Sequence, residues 1–259
     1  MGRLTRRIFK NNPDISGVIT RIHEIRNKSD ILNCVYQPTG YDWLGVNIAG
    51  KYMFPDNTIE IPQYYSSQVM SDDQISEICK TIADLDFRVF VVQGFLYYIS
   101  KIIRRLKAYR SDIKILSIYH GFISELSGNT NILQSVNEFI SLYHEGSLDR
   151  IAVVKEGHEK VFFKLFGVVP FLLYNKVPIH ENNIREEGAN SLVHIGVLVN
   201  NSFRKNLHNQ VVAALMIPGT VVHVIDKQEF YYLNNDERIV EHGMMPHASF
   251  LRLLTAMDI

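Results

Sequence analysis

From Asp73 onward the chain alternates between two hydrophobic rhythms. One is helical: DDQISEICKTIADL sets Ile75, Ile78, Ile82 and Leu85 three or four apart, on one face. LYYISKIIRRLKAYR places Ile99, Ile102, Ile103 and Leu106 on one side and its basic residues largely on the other. ILQSVNEFISLYH turns Leu133, Val136, Ile140 and Tyr143 inward, and HEKVFFKLFG reads as a helix closed by Gly167. The other rhythm is the short apolar run. RVFVVQGF, IKILSIYHGF, RIAVVKEG and VPFLLYNKV are rich in β-branched and aromatic residues, as strands buried on both faces are. Strand and helix in strict alternation predict βαβ units around a parallel sheet, with helices on both faces.

The same rhythm returns after a break. Residues 179–190, IHENNIREEGAN, are polar and read as a linker. Beyond them SLVHIGVLVNNSFRKNLHNQVVAALMIPGTVVHVID predicts strand, polar loop, amphipathic helix and strand; RIVEHG is a further strand and PHASFLRLLTAM a further helix. The expectation is an α/β chain of two Rossmann-like domains, residues 1–178 and 191–259, with ligands taken at the carboxyl ends of the strands. The opening 65 residues fit less well. GVITRIHEI reads as helix, but YQPTGYDWLGVNIAGKYMFPDNTIEIP is dense in Gly, Pro, Asn and Asp and predicts loops and short strands. No clear first strand of a doubly wound sheet is expected there.

Composition narrows the function classes. The 259 residues hold 27 Lys and Arg against 27 Asp and Glu, so a general nucleic-acid binder is not expected. With 46% hydrophobic residues a sizeable core can form, and no apolar run is long enough to span a bilayer. The amino terminus lacks the apolar stretch of a secretory signal. Cys34 and Cys79 lack metal-type spacing and read as free thiols, so the expected location is cytoplasmic. Residues 97–110 hold Lys101, Arg104, Arg105, Lys107 and Arg110 and no acid, a face that could meet anionic lipid headgroups at a membrane surface.

Two places could do chemistry. Arg204 and Lys205 stand where the polar loop enters a helix, whose unpaired N–H groups and dipole favour an anion. Cations are mildly unfavourable there unless an anion binds, so the pair predicts a phosphate or diphosphate site. His120 and Gly121 end the strand IKILSIYHGF. The histidine could bond a sugar hydroxyl or phosphate, and the glycine admits close approach of a ligand. Tyr36, Tyr41 and Trp43 could stack on a sugar ring. There is no phosphate-binding P-loop, no HExxH, no nucleophile elbow and no GxGxxG.

Taken in order, Ile118-Tyr119-His120-Gly121, Asn175-Lys176-Val177-Pro178, Ile195-Gly196 with Arg204-Lys205-Asn206, and the tail HGMMPHASFLRLLTAMDI form a pattern over residues 85–259. It resembles the bacterial glycosyltransferases of the two-Rossmann GT-B fold, similar to glycosyltransferase family 4. The resemblance implies transfer of a sugar from a nucleotide-sugar to a glycan or lipid-linked acceptor in surface polysaccharide synthesis, without a metal or other cofactor. It implies an acceptor-side domain before the linker and a donor domain after it. Arg204 and Lys205 would hold the donor diphosphate. His120, as the catalytic-site residue, and Gly121 would face the sugar, and Gly243, Met244 and Met245 would flank the nucleobase. The family's paired glutamates would follow Ile259, so the donor domain is expected to be incomplete. Its exposed apolar surface would then favour a dimer, or a non-catalytic binding role as the alternative to transfer.

Overall fold

A computed structural model describes residues 14–25, 29–38, 44–62, 70–95, 98–121, 123, 130–175, 192–199, 205–226 and 236–258. The chain divides into two compact units, Met1–Pro178 and Ile179–Ile259. The predicted linker, Tyr41, Trp43 and Arg204 lie outside the described residues.

The first unit is built on strands β1 (Ile31–Gln37), β2 (Thr58–Pro62), β3 (Val89–Gln93), β4 (Lys114–Tyr119), β5 (Arg150–Val153) and β6 (Phe171–Leu172). All pair in parallel, in the order β2-β1-β3-β4-β5-β6. Its helices are α1 (Ser16–Glu24), α2 (Leu44–Met53), α3 (Asp72–Ala83), α4 (Ile99–Tyr109), α5 (Thr130–His144) and α6 (His158–Phe166). Helices α1, α3, α4, α5 and α6 pack on the sheet face lined by Leu32, Cys34, Tyr36, Phe90, Val92, Ile115, Ile151 and Val153. The other face, with Val91, Ile118 and Ala152, meets the end of α2 through Met53 and neighbouring Phe54.

Local chemistry explains the best-formed helices. Ser71 caps α3: its hydroxyl accepts from the Gln74 N–H, and the Gln74 side chain accepts from the Ser71 N–H. Asp72 and Asp73 complement the dipole at that end, and Ile75, Ile78 and Ile82 are fully buried. Each such burial stabilises by about 2 kcal/mol. Helix α6 lies between Gly157 and Gly167, both at positive φ, the second its predicted C-cap.

Three sequence expectations are corrected. A first strand does exist: β1 pairs with both β2 and β3. It was hidden because Asn33, a poor strand former, sits in its middle with its amide satisfied by neighbouring elements. The stretch expected to be loops and short strands holds the helix α2 as well as β2. On α5 the inward stripe runs through Val136, Phe139, Ile140 and Leu142, whereas Leu133 is 37% exposed.

The second unit has a parallel sheet in the order β7-β8-β9: β7 (Val193–Val197), β8 (Thr220–Val224) and β9 (Ile239–Glu241). Helix α7 (Leu207–Leu215) covers one face, packing Leu207, Val211 and Ala214 on Ile195, Val197, Val222 and Val224. Helix α8 (His247–Thr255) follows β9. The α/β class and the Rossmann-like parallel sheets agree with the sequence reading.

Candidate functional site

Polar side chains inside a sheet are costly unless they satisfy one another, and the first unit holds such a row. Asn33 on β1, Gln93 on β3 and His120 just past β4 join across neighbouring strands. The Asn33 amide donates to the Gly50 carbonyl at 3.1 Å and to the Thr58 hydroxyl at 2.9 Å. Thr58 in turn donates to the Phe54 carbonyl. Gln93 donates to the Asn33 amide oxygen at 2.9 Å, and the Gln93 oxygen lies 2.9 Å from His120 Nε2.

Direction follows from the anchors. A backbone carbonyl only accepts, so the Asn33 nitrogen faces Gly50 and its oxygen faces Gln93. Gln93 must therefore donate to Asn33 and present its own oxygen to His120. His120 then donates from Nε2, which leaves Nδ1 with a lone pair. Among the described residues Nδ1 has no partner. Gly50 makes this possible: a Cβ there would lie 2.6 Å from Val35 Cγ1 and 2.9 Å from Gln93 Cγ. Only glycine lets α2 come close enough to accept from Asn33.

His120 is neutral at physiological pH. Burial pushes its imidazole down to about 4, and the Lys155 ammonium adds to the effect. Lys155, just past β5, donates to the carbonyls of His120 and Gly121 at 3.2 and 3.1 Å. It thus pins the turn that leaves β4 and places a positive charge beside it. His158, at the start of α6, is also held below its ordinary range by burial and by Lys155. A neutral imidazole with a lone pair at a strand's carboxyl end can accept a hydrogen bond, or a proton, from a hydroxyl.

The remaining sequence-derived residues fall as follows. Gly121 stands beside His120, and the space a Cβ would take there is filled by the Tyr119 ring, 2.5 Å away at the hydroxyl. Tyr36 is 1% exposed and donates to the Gly94 carbonyl, so it is a core residue and not a sugar platform. In the second unit Lys205 occupies the turn before α7, and its carbonyl accepts from the Gln210 side chain. Asn206, the N-cap, has φ of +50° and makes no capping bond with its side chain. Gly243, at φ +66°, donates to the Ile225 carbonyl, and exposed Met244 and half-buried Met245 follow. Each unit supplies its own part of this set.

The basic residues of 97–110 are engaged within the fold. Arg104 bonds Glu138 and Glu145, Lys101 pairs with Asp72, Arg105 donates to the Asp72 carbonyl, and Lys107 bonds Asp149. Arg110 bonds Asp112 and the carbonyls of Ala83, Leu85 and Phe87. Among the described residues no helix is long and apolar enough to cross a membrane.

Sequence reasoning found His120 but missed Asn33, Gln93 and Lys155. A signal was present: ILNCVYQ and RVFVVQGF each hold a polar amide inside an apolar run.

No protein-family model matches this sequence, and no curated protein does. Among solved structures, the fold is shared with HepE of Anabaena, crystallised in complex with UDP-glucose. That match has a TM-score of 0.55 at 13% identity and covers 88% of this chain and 72% of that one. At this identity the likeness is one of fold: an α/β chain with Rossmann-like parallel sheets.

Proposed function

We propose that the chain is a glycosyltransferase that moves a sugar from a nucleotide-sugar to a hydroxyl of a glycan or lipid-linked acceptor. The first unit is read as the acceptor side and the second as the donor side. The observation that carries the reading is His120: a neutral imidazole at the end of β4, with Nε2 committed to Gln93 and Nδ1 able to accept. A fold shared with a protein crystallised with UDP-glucose supports it.

In this reading the bond between the donor's anomeric carbon and the diphosphate breaks as the acceptor oxygen bonds to that carbon. The acceptor hydroxyl's proton is the one Nδ1 of His120 can take. Arg204 and Lys205, at the entry to α7, neutralise the departing diphosphate. Gly121, beside His120, faces the sugar in this reading, and Gly243, Met244 and Met245 flank the base.

Isothermal titration of the full chain with UDP and UDP-glucose tests the donor side. Saturable binding that falls at least about tenfold in Lys205→Ala is expected, a loss of about 1.4 kcal/mol. Absence of binding by any nucleoside diphosphate or nucleotide-sugar sinks the reading.

A further inference from the structure

A cavity of about 450 Å³ lies at the amino-terminal ends of β3 to β6, lined by Val89, Lys114, Leu116, Asp149, Arg150 and Phe171. Strand register shows how it is built. Val89 pairs with Lys114, Leu116 with Arg150, and Ala152 with Phe171, on neighbouring parallel strands. Paired residues share a sheet face, and so do residues two apart on one strand. Val89, Leu116 and Phe171 therefore lie with Val91, Ile118 and Ala152 on the face that α2 meets. Lys114 and Arg150 stand on the same face, at its amino-terminal edge. Lys114 opens β4 and His120 follows its last residue, so the cavity is about 20 Å from His120 along the strand.

The lining combines an apolar floor with a cationic rim. Val89 and Leu116 are only half-buried, and Phe171 is 42% exposed. The faces of a parallel sheet are ordinarily apolar and covered, yet two cations interrupt this one. Lys114 and Arg150 occupy diagonal positions on adjacent strands, about 8 Å apart at Cα. Two long side chains at that spacing can meet on one ligand group.

The acid beside them is already engaged. Asp149 Oδ2 accepts from Lys107 Nζ at 2.8 Å and from the Ile115 N–H at 2.9 Å, and Oδ1 accepts from Lys114 Nζ at 3.0 Å. Arg150 makes one long contact among the described residues, 3.4 Å from Nη1 to the Asp149 carbonyl. Its exposed guanidinium keeps its other N–H donors for a further partner. One carboxylate thus faces Lys107, Lys114 and Arg150, and the rim is net positive. Arg88, next to Val89, is paired with Asp30 and adds no net charge.

We propose that this cavity binds a single-chain anionic amphiphile, its alkyl chain on Val89, Leu116 and Phe171 and its phosphate or carboxylate head on Arg150 and Lys114. A guanidinium takes either head through two parallel N–H bonds. The volume is that of a small-molecule site. A concave floor fits one chain drawn out of solution, whereas a bilayer calls for apolar side chains that project into it. None of the residues assigned to sugar transfer takes part, so the two readings fail separately.

Methyl NMR of the full chain tests the site, with decyl phosphate and decanoate titrated below their aggregation concentrations. Saturable one-site binding is expected for at least one of the two heads. It shifts the Val89 and Leu116 methyls and leaves those of Val211 and Val222 in the second unit in place. Decanol and inorganic phosphate each lack half of the ligand and are expected to bind at least about tenfold more weakly. Arg150→Gln is expected to weaken the amphiphile at least about tenfold, and Phe171→Ser about fivefold. Both positions are exposed, and an unchanged urea midpoint shows that each variant is folded. Absence of saturable binding overturns the proposal, as do equal affinity for decanol, shifts confined to other residues, or undiminished binding by folded Arg150→Gln. Sedimentation with phosphatidic acid vesicles that decyl phosphate does not displace also overturns it, in favour of a membrane surface.

Discussion

The two sheets each carry a polar row, and the rows obey different rules. In the first unit Asn33, Gln93 and His120 hang from main-chain carbonyls. An amide's nitrogen and oxygen are not interchangeable, so one end of the row fixes the other and His120 has a single neutral tautomer. In the second unit His194, His223 and His242 have nitrogens at every contact, each able to donate or accept. Nothing in the row itself fixes its direction. The first arrangement suits a residue that must present the same lone pair every time.

The comparison is broken most severely at its anchor. Asn33→Leu leaves the Gln93 amide nitrogen buried without its acceptor, at about 1–3 kcal/mol, and takes a donor from the Thr58 hydroxyl and from the Gly50 carbonyl, which keeps the Phe54 N–H. A loss of about 3 kcal/mol in urea unfolding is expected, and a loss below about 1 kcal/mol would show that the row is not structurally needed.

The next effect is on pH dependence. His120 titrates near 6.5 when unfolded and near 4 when folded. Its contribution to stability is therefore fully present above pH 6.5 and is lost as pH falls from 6.5 to 4, because the unfolded chain takes up the proton first. The amount is at most about 3 kcal/mol. His120→Gln removes this slope, which unfolding measured across that interval will show. An unchanged slope would place the titration elsewhere.

A steric test follows. Gly50→Ala forces a Cβ against Val35 and Gln93 and is expected to cost about 1–3 kcal/mol while shifting the His120 resonance. The smallest effect is electrostatic. Lys155→Met removes a cation beside His120 and frees two carbonyls, so the imidazole's pKa rises toward its ordinary value. Histidine NMR reads this directly. The same substitution should leave the second unit's histidine row unmoved, since each row belongs to its own unit.

The helices and central strands were legible because their chemistry is local. Ser71 and Gln74 announce the start of α3, and the isoleucine spacing of α3 and α4 leaves no other face to bury. The strand end at His120 was legible for the same reason. The opening region was not, because Asn33 and the dense Gly and Asn of α2 read as loop until the partners of those groups are known. Asn47 illustrates this: it is buried in α2, with its amide donating to the Tyr36 carbonyl and to Glu60.

The sequence by itself determined the alternation of elements, hence the α/β class, the parallel sheets and the place of His120 at a strand end. Periodicity and capping are contained in neighbouring residues, and their outcome does not depend on what lies across the sheet. Only the tertiary structure decided that His120 is neutral, which of its nitrogens is free to accept, and that three other histidines stand in a row at hydrogen-bond distance. Those properties depend on burial and on partners far along the chain: Gln93 is 27 residues from His120 and 60 from Asn33. Strand order brings them together, and local sequence preference does not encode strand order.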